Sequence, residues 1–349
     1  MAKPTLTIDA AIIGDGRDRF RIGSLEIEGP DDDEVLVRIE ACGICHTDID
    51  FASDASSPTV FGHEGAGVVE RVGSAVAGIA VGDHVLLSYA WCGQCGACLG
   101  EAPYDCDLFW DLNFGFVRHD GTSAYEPAGV RGHFFGQSSF ATHALATARN
   151  IVKIDRELPL ETLAPLGCGL QTGAGTLCHV FDLQPGASIV IFGVGAVGFG
   201  ALMAARILGA ATVVAVDINP ARLALAAELG ATHTFQADQH DDLAALLRTC
   251  VTAAGFDYAI DTSGTASAAD TIRGVIGAHG RCVFLAGGDI VQGNSIAQRF
   301  IPQMIEWYRQ GEFPVERLVT HYAFHDIDRA FEDARAGRVV KAVVTMPLE

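Results

Sequence analysis

The chain has 349 residues, of which 49% are hydrophobic and 19% charged. That length allows two domains with separate cores, and the composition is that of a compact globular protein. The formal net charge of −20 argues against nucleic-acid binding, because an acidic surface repels phosphate backbones, and it limits an anionic cofactor to local donors such as backbone N–H groups.

The first part of the chain is predicted to contain many short strands. Glu34–Ile39 alternates in the manner of a strand, and Gly65–Val72 and His84–Leu87 are short apolar runs bounded by Gly or Asp. Residues 107–137 show little periodicity. An irregular stretch of that length inside a compact protein is expected to be functional or tied down by other residues.

From Ser188 onward, apolar strands alternate with helices rich in Ala and Leu. Strands are predicted at Ser188–Phe192, Thr212–Val216, Phe256–Asp261 and Arg281–Ala286, and helices at Ala196–Leu208, Ala221–Leu229, Leu243–Ala253 and Ala266–Ile276. Repeated β-α units predict an α/β fold with a doubly wound parallel sheet. Beyond them, the sequence predicts two helices and a last strand at Ile301–Gln310, Asp326–Ala336 and Lys341–Met346.

One uncharged stretch, Ile189–Ala205, approaches the length of a membrane span. Glycines interrupt it and Arg206 follows, so a buried strand, a tight turn and a helix explain it better than a membrane segment. Residues 1–20 contain no apolar run of signal-peptide length. Several cysteines stand in patterns typical of metal ligands, and ligand thiolates must stay reduced. A cytoplasmic location is therefore predicted.

A glycine-rich turn follows the strand at 188–192 and opens a helix, a context that favours a dinucleotide site. The candidate contacts are Gly193, Val194, Gly195, Ala196, Val197 and Gly198. The three glycines would permit the turn, leave room for a pyrophosphate at the helix N-terminus, and let helix and strand pack closely. The alternative is a buried glycine-rich turn without a ligand.

Two charged residues follow the turn. Asp217 ends the next predicted strand, where a carboxylate can accept hydrogen bonds from ribose hydroxyls and would repel a 2′-phosphate. The sequence therefore favours NAD over NADP. Arg222 is either a second cofactor contact or a charge on a helix surface.

Four cysteines form a compact pattern with the spacing C-x2-C-x2-C-x7-C. They are Cys92, Cys95, Cys98 and Cys106. Four thiolates at this spacing can enclose one Zn²⁺ in a closed tetrahedron, which is typical of a structural site. Unconnected buried thiols and a CxxC redox pair are the alternatives, but three cysteine spacings in succession suit a metal better.

A second set of metal-ligand residues is scattered. Cys45 lies in GICHTD, His63 in GHE and Cys168 in LGCGLQT. Each alone is more often a core residue. Together, two thiolates and one imidazole form a known catalytic zinc set that leaves a fourth position open.

These segments, together with VVAVDINPARL, resemble zinc-dependent medium-chain alcohol dehydrogenases from about Thr5 to Glu349. HFFGQSSFATHALA at 133–146 and the Cys168 segment are most similar to aryl- or benzyl-alcohol dehydrogenases. The resemblance implies a GroES-like, β-rich catalytic domain at 1–165, to which 289–349 returns, and a Rossmann NAD-binding domain at 166–288, with a cleft between them.

The resemblance also assigns roles near the metal. It implies two zinc ions per chain, one structural and one catalytic, the second bound by Cys45, His63 and Cys168. Glu64 would act as a transient ligand of the catalytic zinc. Asp48 would hold the His63 ring in orientation.

The remaining implied roles concern substrate and cofactor. Thr47 would hydrogen-bond the alcohol oxygen and start proton removal, His46 would face the pyrophosphate, and Thr172 and Val197 would press on the nicotinamide. Phe140 matches a substrate-pocket position. The implied reaction is reversible oxidation of a primary alcohol, aromatic or allylic, to its aldehyde with hydride transfer to NAD⁺.

Two departures from the family pattern affect these expectations. Asp50 stands where many relatives carry the histidine that ends the proton relay, so it either takes that proton or is a surface charge. After Gly288 the chain lacks a segment of relatives that supplies a dimer-forming hairpin, so a homo-oligomer is expected to be weakened or altered.

Two other functions are compatible with the sequence. One is a dehydrogenase of thiol adducts of formaldehyde, which would need cationic residues to hold an anionic thiol; the acidic composition argues against it. The other is a non-catalytic zinc- and nucleotide-binding relative. The presence of Cys45, His63, Cys168 and Thr47 argues against that alternative.

Overall fold

A computed structural model of the protein describes residues 4–287 and 290–347. The chain divides into two compact units. The first comprises Met1–Cys168, Ile296–Ile305 and Val315–Glu349, and the second comprises Gly169–Ser295 and Glu306–Pro314. The segment after Gly288 in which the dimer hairpin is predicted to be missing includes Gly288 and Asp289, which lie outside the described residues.

The described part of the chain contains both strands and helices. The strands are β1 (Thr5–Ile13), β2 (Arg21–Glu28), β3 (Glu34–Gly43), β4 (Thr59–Val60), β5 (Glu64–Val72), β6 (His84–Leu87), β7 (Tyr125–Glu126), β8 (His143–Thr147), β9 (Ile151–Ile154), β10 (Ser188–Phe192), β11 (Thr212–Asp217), β12 (His233–Gln236), β13 (Phe256–Asp261), β14 (Ile276–Phe284), β15 (Val319–Ala323) and β16 (Lys341–Thr345). The α-helices are α1 (His46–Ser53), α2 (Gly96–Leu99), α3 (Phe109–Phe114), α4 (Leu160–Leu163), α5 (Gly169–Gly175), α6 (Ala196–Ile207), α7 (Pro220–Glu228), α8 (Leu243–Arg248), α9 (Ala266–Val275), α10 (Ala297–Arg309) and α11 (Ile327–Arg335).

The first unit is built on two sheets. One has the strand order β4-β1-β2-β7, and the other has the order β15-β16-β3-β5-β6-β9, with β8 also paired with β3. Strand β3 is buried over most of its length because its apolar residues face the core and neighbouring strands cover it. The last strand, β16, runs antiparallel to β3, with Val343 opposite Gly43. This pairing brings the C-terminal strand beside the Cys45 segment.

The second unit contains a parallel sheet with the strand order β12-β11-β10-β13-β14. Val190, Phe192, Val214 and Val216 are buried in its core. Parallel strands covered by helices need apolar side chains on both faces, which the sequence supplies. The predicted α/β class with a parallel sheet is confirmed.

Two predicted boundaries in this unit are wrong. The helix predicted over Leu243–Ala253 ends at Arg248, because the next N–H groups, those of Thr249 and Cys250, bond three residues back and tighten the last turn. The strand predicted over Arg281–Ala286 is β14, which begins at Ile276 and ends at Phe284. The pairing of β14 with β13 passes from Ile276 to Arg281 with a shift in register. This bulge interrupts the regular strand pattern, so the sequence does not predict where β14 begins.

The irregular stretch at 107–137 is tied down by a buried arginine. The Arg118 guanidinium donates to Glu34 at 2.9 and 3.1 Å and to Glu28 at 2.6 Å. Such charge-assisted bonds fix a loop that has little regular structure of its own. No helix in the described part of the chain is both long enough and apolar enough to cross a bilayer.

Candidate active site

One cluster of metal-ligand side chains lies in the first unit. Cys45, His63, Glu64 and Cys168 each present a ligand atom, and these atoms lie within 4.8 Å of one another. Cys45 caps the N-terminus of α1, and His63 directly precedes β5. His63 Nε2 lies 3.3 Å from Cys168 Sγ. A nitrogen and a sulfur on one tetrahedral zinc would lie about 3.6 Å apart, so the arrangement fits that metal.

Asp48 links two of these side chains. His63 Nδ1 donates to Asp48 Oδ1 at 2.9 Å, and the Cys45 N–H donates to Asp48 Oδ2 at 2.9 Å. The Gly62 N–H also donates to Oδ1. Asp48 is fully buried. It therefore fixes the ring so that Nε2 is directed at the cluster, which is the role that a carboxylate plays behind a metal-bound histidine.

A buried lysine from the last strand enters the cluster. Lys341 Nζ donates to Glu64 Oε1 at 2.9 Å and Oε2 at 3.0 Å, and to the Ile44 carbonyl at 3.0 Å. Glu64 and Lys341 are both buried. The predicted transient metal ligand is thus engaged at both carboxylate oxygens by a cation in this structure.

The electrostatics of the cluster favour one thiolate. A hydrogen bond from Cys168 is the largest cause that holds the pKa of Cys45 well below its ordinary value. The same bond raises the pKa of Cys168 well above its ordinary value. Burial would lower the pKa of His63, but the charge and hydrogen bond of Asp48 outweigh it and raise that pKa to about 10. Burial raises the pKa of Glu64, which Lys341 opposes.

The residues predicted to act on the substrate, the cofactor or the proton differ in their position and burial. Cys45 Sγ lies 3.8 Å from the Thr47 hydroxyl, so Thr47 is beside the cluster. His46 and Asp50 are exposed on α1. Phe140 is fully buried against Phe20 and Phe331 in the core, with ring centroids at 6.4 and 5.6 Å.

The ring that packs on the cluster is Phe135, which sequence reasoning missed. It stacks on the His63 imidazole with centroids 4.3 Å apart and planes at 18°. From Phe135, ring contacts of 5.0 Å lead to Phe114 and then to Phe51, which is 38% exposed. An apolar aromatic path therefore runs from the ligand set to the surface of this unit.

Replacing Asp48 by asparagine is expected to weaken metal binding at this cluster by roughly 10- to 100-fold. An amide cannot accept from both His63 and Cys45 as the carboxylate does, because one of its two polar atoms is a donor. Competition with a fluorescent chelator measures the change. Asp50→Asn, on the exposed side of the same helix, is the matched control and should keep the parent affinity. Equal affinities for the two variants would contradict the positioning role of Asp48.

The four cysteines form a second cluster, also in the first unit. Their sulfurs lie within 4.8 Å of one another, and Cys92 Sγ is 3.8 Å from Cys98 Sγ. Two sulfurs on a tetrahedral zinc lie about 3.8 Å apart, since each Zn–S bond is about 2.3 Å. All ten cysteines are free thiols, so no disulfide competes for these sulfurs. The cluster fits a structural zinc.

Backbone N–H groups stabilise thiolates in this cluster. Cys92 Sγ accepts from the N–H groups of Gln94 and Cys95, and Cys106 Sγ accepts from the N–H of Cys92. Backbone bonds from Cys98 and Asp107 lower the pKa of Cys95 to about 6. Burial raises the pKa of Cys98 to about 12. A metal ion would supply the positive charge that deprotonates the remaining thiols.

The second unit holds the glycine-rich turn at the start of α6. Gly193 has φ of 83°, a conformation that favours glycine. A Cβ on Gly198 would lie 2.0 Å from the Gly193 carbonyl oxygen, so close packing requires glycine there. A Cβ on Gly195 would meet nothing within 4 Å. The open space before a helix N-terminus suits a pyrophosphate, so these residues fit a dinucleotide.

Asp217 is directly joined to this turn. Its Oδ2 accepts from the Val194 N–H at 2.7 Å, and its Oδ1 accepts from the Asn219 N–H at 2.8 Å. Of the other predicted cofactor residues, Thr172 donates to Gln292 at 3.2 Å, and Arg222 is half-buried on α7. Ala196 and Val197 are half-buried in the first turn of α6.

Replacing Asp217 by glycine is expected to change the cofactor preference. If a dinucleotide binds at this turn as expected, the Asp217 carboxylate would lie beside its ribose and repel a 2′-phosphate, and a juxtaposed like charge costs enough to shift binding by about 10-fold or more. The kcat/KM ratio of NADP⁺ to NAD⁺ should rise by at least that factor in Asp217→Gly. Glu228→Gln, which removes a carboxylate at the far end of α7, serves as the control. An unchanged ratio in Asp217→Gly would contradict the role of Asp217.

Comparison with known proteins agrees with both units. The family model described as the alcohol dehydrogenase GroES-like domain matches residues 31–156. The model described as zinc-binding dehydrogenase matches residues 196–307. Geraniol dehydrogenase of Castellaniella defragrans is 39% identical over 97% of this chain and 98% of its own length.

Two solved structures share the whole fold. Benzyl alcohol dehydrogenase from Acinetobacter calcoaceticus is 37% identical with a TM-score of 0.92, covering 98% of this chain and 100% of that one. An alcohol dehydrogenase zinc-binding domain protein from Burkholderia ambifaria is 40% identical with a TM-score of 0.92, covering 99% and 100%. The chain therefore belongs to the zinc-dependent medium-chain alcohol dehydrogenase family.

Proposed function

We propose that the protein oxidises a primary alcohol, aromatic or allylic, to its aldehyde with NAD⁺ as hydride acceptor, and that it runs the reverse reaction with NADH. The single observation that carries the proposal is the Cys45, His63 and Cys168 ligand set, with the Thr47 hydroxyl 3.8 Å from the Cys45 sulfur. Three protein ligands leave one coordination position for an oxygen ligand, which is the catalytic form of a zinc site.

Zinc bound there would supply a Lewis acid that acidifies the alcohol, and NAD⁺ would supply the hydride acceptor. The residues of the chain do the rest. Asp48 holds the His63 ring, and the lowered pKa of Cys45 keeps its sulfur ready to bind a cation. The Thr47 hydroxyl would accept the proton of the alcohol while it donates its own proton outward, to solvent or to Asp50, so that Thr47 itself stays neutral.

The aromatic path supports the substrate class. Phe135, Phe114 and Phe51 would contact an apolar substrate from the ligand set outward. Aromatic and allylic alcohols present flat apolar bodies that such rings bind well. One relative in sequence is named for geraniol, an allylic alcohol, and one solved structure with the same fold is named for benzyl alcohol, an aromatic alcohol.

One zinc would occupy each cluster, which gives two ions per chain, and NAD would bind at the Gly193 turn with help from His46, Thr172 and Val197. Arg222 would contact the cofactor from α7. Reduced thiolates in both clusters suit the cytoplasm.

A homo-oligomer of altered mode is proposed from the short segment after Gly288. Sedimentation at micromolar concentration tests this proposal, and a tight dimer of the usual mode would contradict it.

Steady-state formation of NADH tests the proposed function. The assay compares benzyl alcohol, geraniol, a long-chain saturated alcohol and a mixture of formaldehyde with a thiol. Benzyl alcohol and geraniol should give the highest kcat/KM, because flat apolar bodies match the aromatic path. A preference for the formaldehyde–thiol mixture would replace the proposal by the thiol-adduct reaction. No turnover with any of the four, despite bound zinc, would favour a non-catalytic binding protein.

A further inference from the structure

A fully buried amide lies directly behind the catalytic cluster. Gln137 Nε2 donates to the His63 carbonyl at 3.0 Å and to the Ser88 carbonyl at 3.1 Å. Gln137 Oε1 accepts from the Gly65 N–H at 3.1 Å and from the Ser139 hydroxyl at 2.7 Å. The side chain therefore uses all four hydrogen bonds that an amide can make.

These bonds bracket the ligand segment. The His63 carbonyl lies on one side of Glu64 in the chain, and the Gly65 N–H lies on the other. Both peptide groups are thus fixed by one side chain at the point where β5 begins. All these residues are buried, so water cannot replace a lost bond without entering the core.

The same network reaches the third ligand. The Ser88 hydroxyl donates to the Gly167 carbonyl at 2.7 Å, and Gly167 directly precedes Cys168. Ser88 is fully buried. A continuous path of hydrogen bonds therefore joins the backbone of His63, through Gln137 and Ser88, to the backbone beside Cys168.

The loop that carries Gln137 also contacts the imidazole ring itself. Phe135, two residues earlier, stacks on His63 at 4.3 Å. Phe135 has φ of 54° and Ser138 has φ of 60°, values that are uncommon for residues with a side chain. Such backbone is retained where surrounding contacts fix it, and here it turns the ring and the amide toward the same ligand.

We propose that Gln137 is a positioning residue for the catalytic metal: its amide, together with Ser88, holds the His63 and Cys168 backbone at the spacing that the metal requires. This inference rests on the ligand set of the proposed function, but not on which alcohol is oxidised. The ordinary alternative is a buried amide that contributes to folding alone. If Gln137 positions the metal ligands, loss of its amide changes the spectrum and release rate of the bound metal. If it contributes to folding alone, only the stability falls.

The test uses Gln137→Met, which keeps the length of the side chain and removes its polar atoms. The chain is loaded with Co²⁺, and the difference between its spectrum and that of Cys45→Ser isolates the catalytic cluster. Gln137→Met should shift the ligand-field bands and release the metal to a chelator about 10-fold faster or more. Ser88→Ala removes only the bond to Gly167 and should change both readouts in the same direction by less; it decides the test if Gln137→Met fails to fold.

Asn113→Leu is the matched control. Asn113 is a fully buried amide in the same unit, and hydrogen bonds of 2.7 to 2.9 Å join it to the backbone of Ala90 and Phe109 rather than to His63, Gln137 or Gly167. It should lower the melting temperature without changing the cobalt difference spectrum. Parent-like spectra and release rates in Gln137→Met and Ser88→Ala would overturn the inference. Altered cobalt spectra in the variants, together with no alcohol turnover by the parent protein, would contradict the proposed function but would support this inference.

Discussion

Replacement of Cys45 by serine is expected to reduce kcat/KM for alcohol oxidation by about 10³-fold or more while the protein stays folded, because Lewis-acid stabilisation is worth several kcal/mol. A serine hydroxyl stays protonated at neutral pH and is a poor zinc ligand beside the thiolate it replaces. The metal content should fall by about one ion per chain, measured by elemental analysis beside NADH formation.

The control for this variant is Cys42→Ala. Cys42 is fully buried at the end of β3, three positions before Cys45, and belongs to neither metal cluster. It should keep both metal ions and most of the activity. If Cys45→Ser retained parent activity, or if Cys42→Ala lost the metal as well, the assignment of Cys45 as a ligand would be wrong.

Replacement of Cys98 by serine is expected to lower stability first and catalysis second. Cys98 Sγ is 3.8 Å from Cys92 Sγ in a cluster that closes on itself, so loss of one sulfur opens the structural site. A structural zinc stabilises its fold by several kcal/mol or more, which corresponds to a fall in melting temperature of about 5 °C or more for a chain of this size. Differential scanning calorimetry at fixed zinc concentration measures the change.

Cys282→Ser provides the comparison for that measurement. Cys282 is exposed on β14 and lies outside both clusters. Its melting temperature should match the parent within the error of the calorimeter. An unchanged melting temperature in Cys98→Ser would contradict a structural role for the four cysteines.

Local sequence signals predicted a large part of the fold. The strand at Ser188–Phe192 was predicted with its observed bounds, since a short apolar run between turn residues is typical of a buried strand. The sequence does not predict the start of β14, because the segment IGAHG has no apolar alternation. This segment pairs with β13 through a bulge. Tertiary pairing, rather than local propensity, defines that segment.

The ligand types in the candidate site could be predicted, but their supporting residues could not. Cysteines and histidines carry their chemistry in the residue type, whereas Lys341 meets Glu64 across 277 residues of chain. A lone lysine in the apolar strand KAVVT was the available signal. Gln137 and Phe135 gave none, because their roles depend on left-handed backbone in the loop that holds them.

Zinc-dependent alcohol oxidation is tested most directly by NADH formation from benzyl alcohol before zinc removal, after it and after zinc return. A chelator that takes metal from the Cys45, His63 and Cys168 cluster should abolish turnover, and about one zinc ion per chain should restore it. Circular dichroism must stay unchanged, so that lost activity is not lost folding. Full turnover by a chain with an empty catalytic cluster would contradict catalysis by zinc at this cluster.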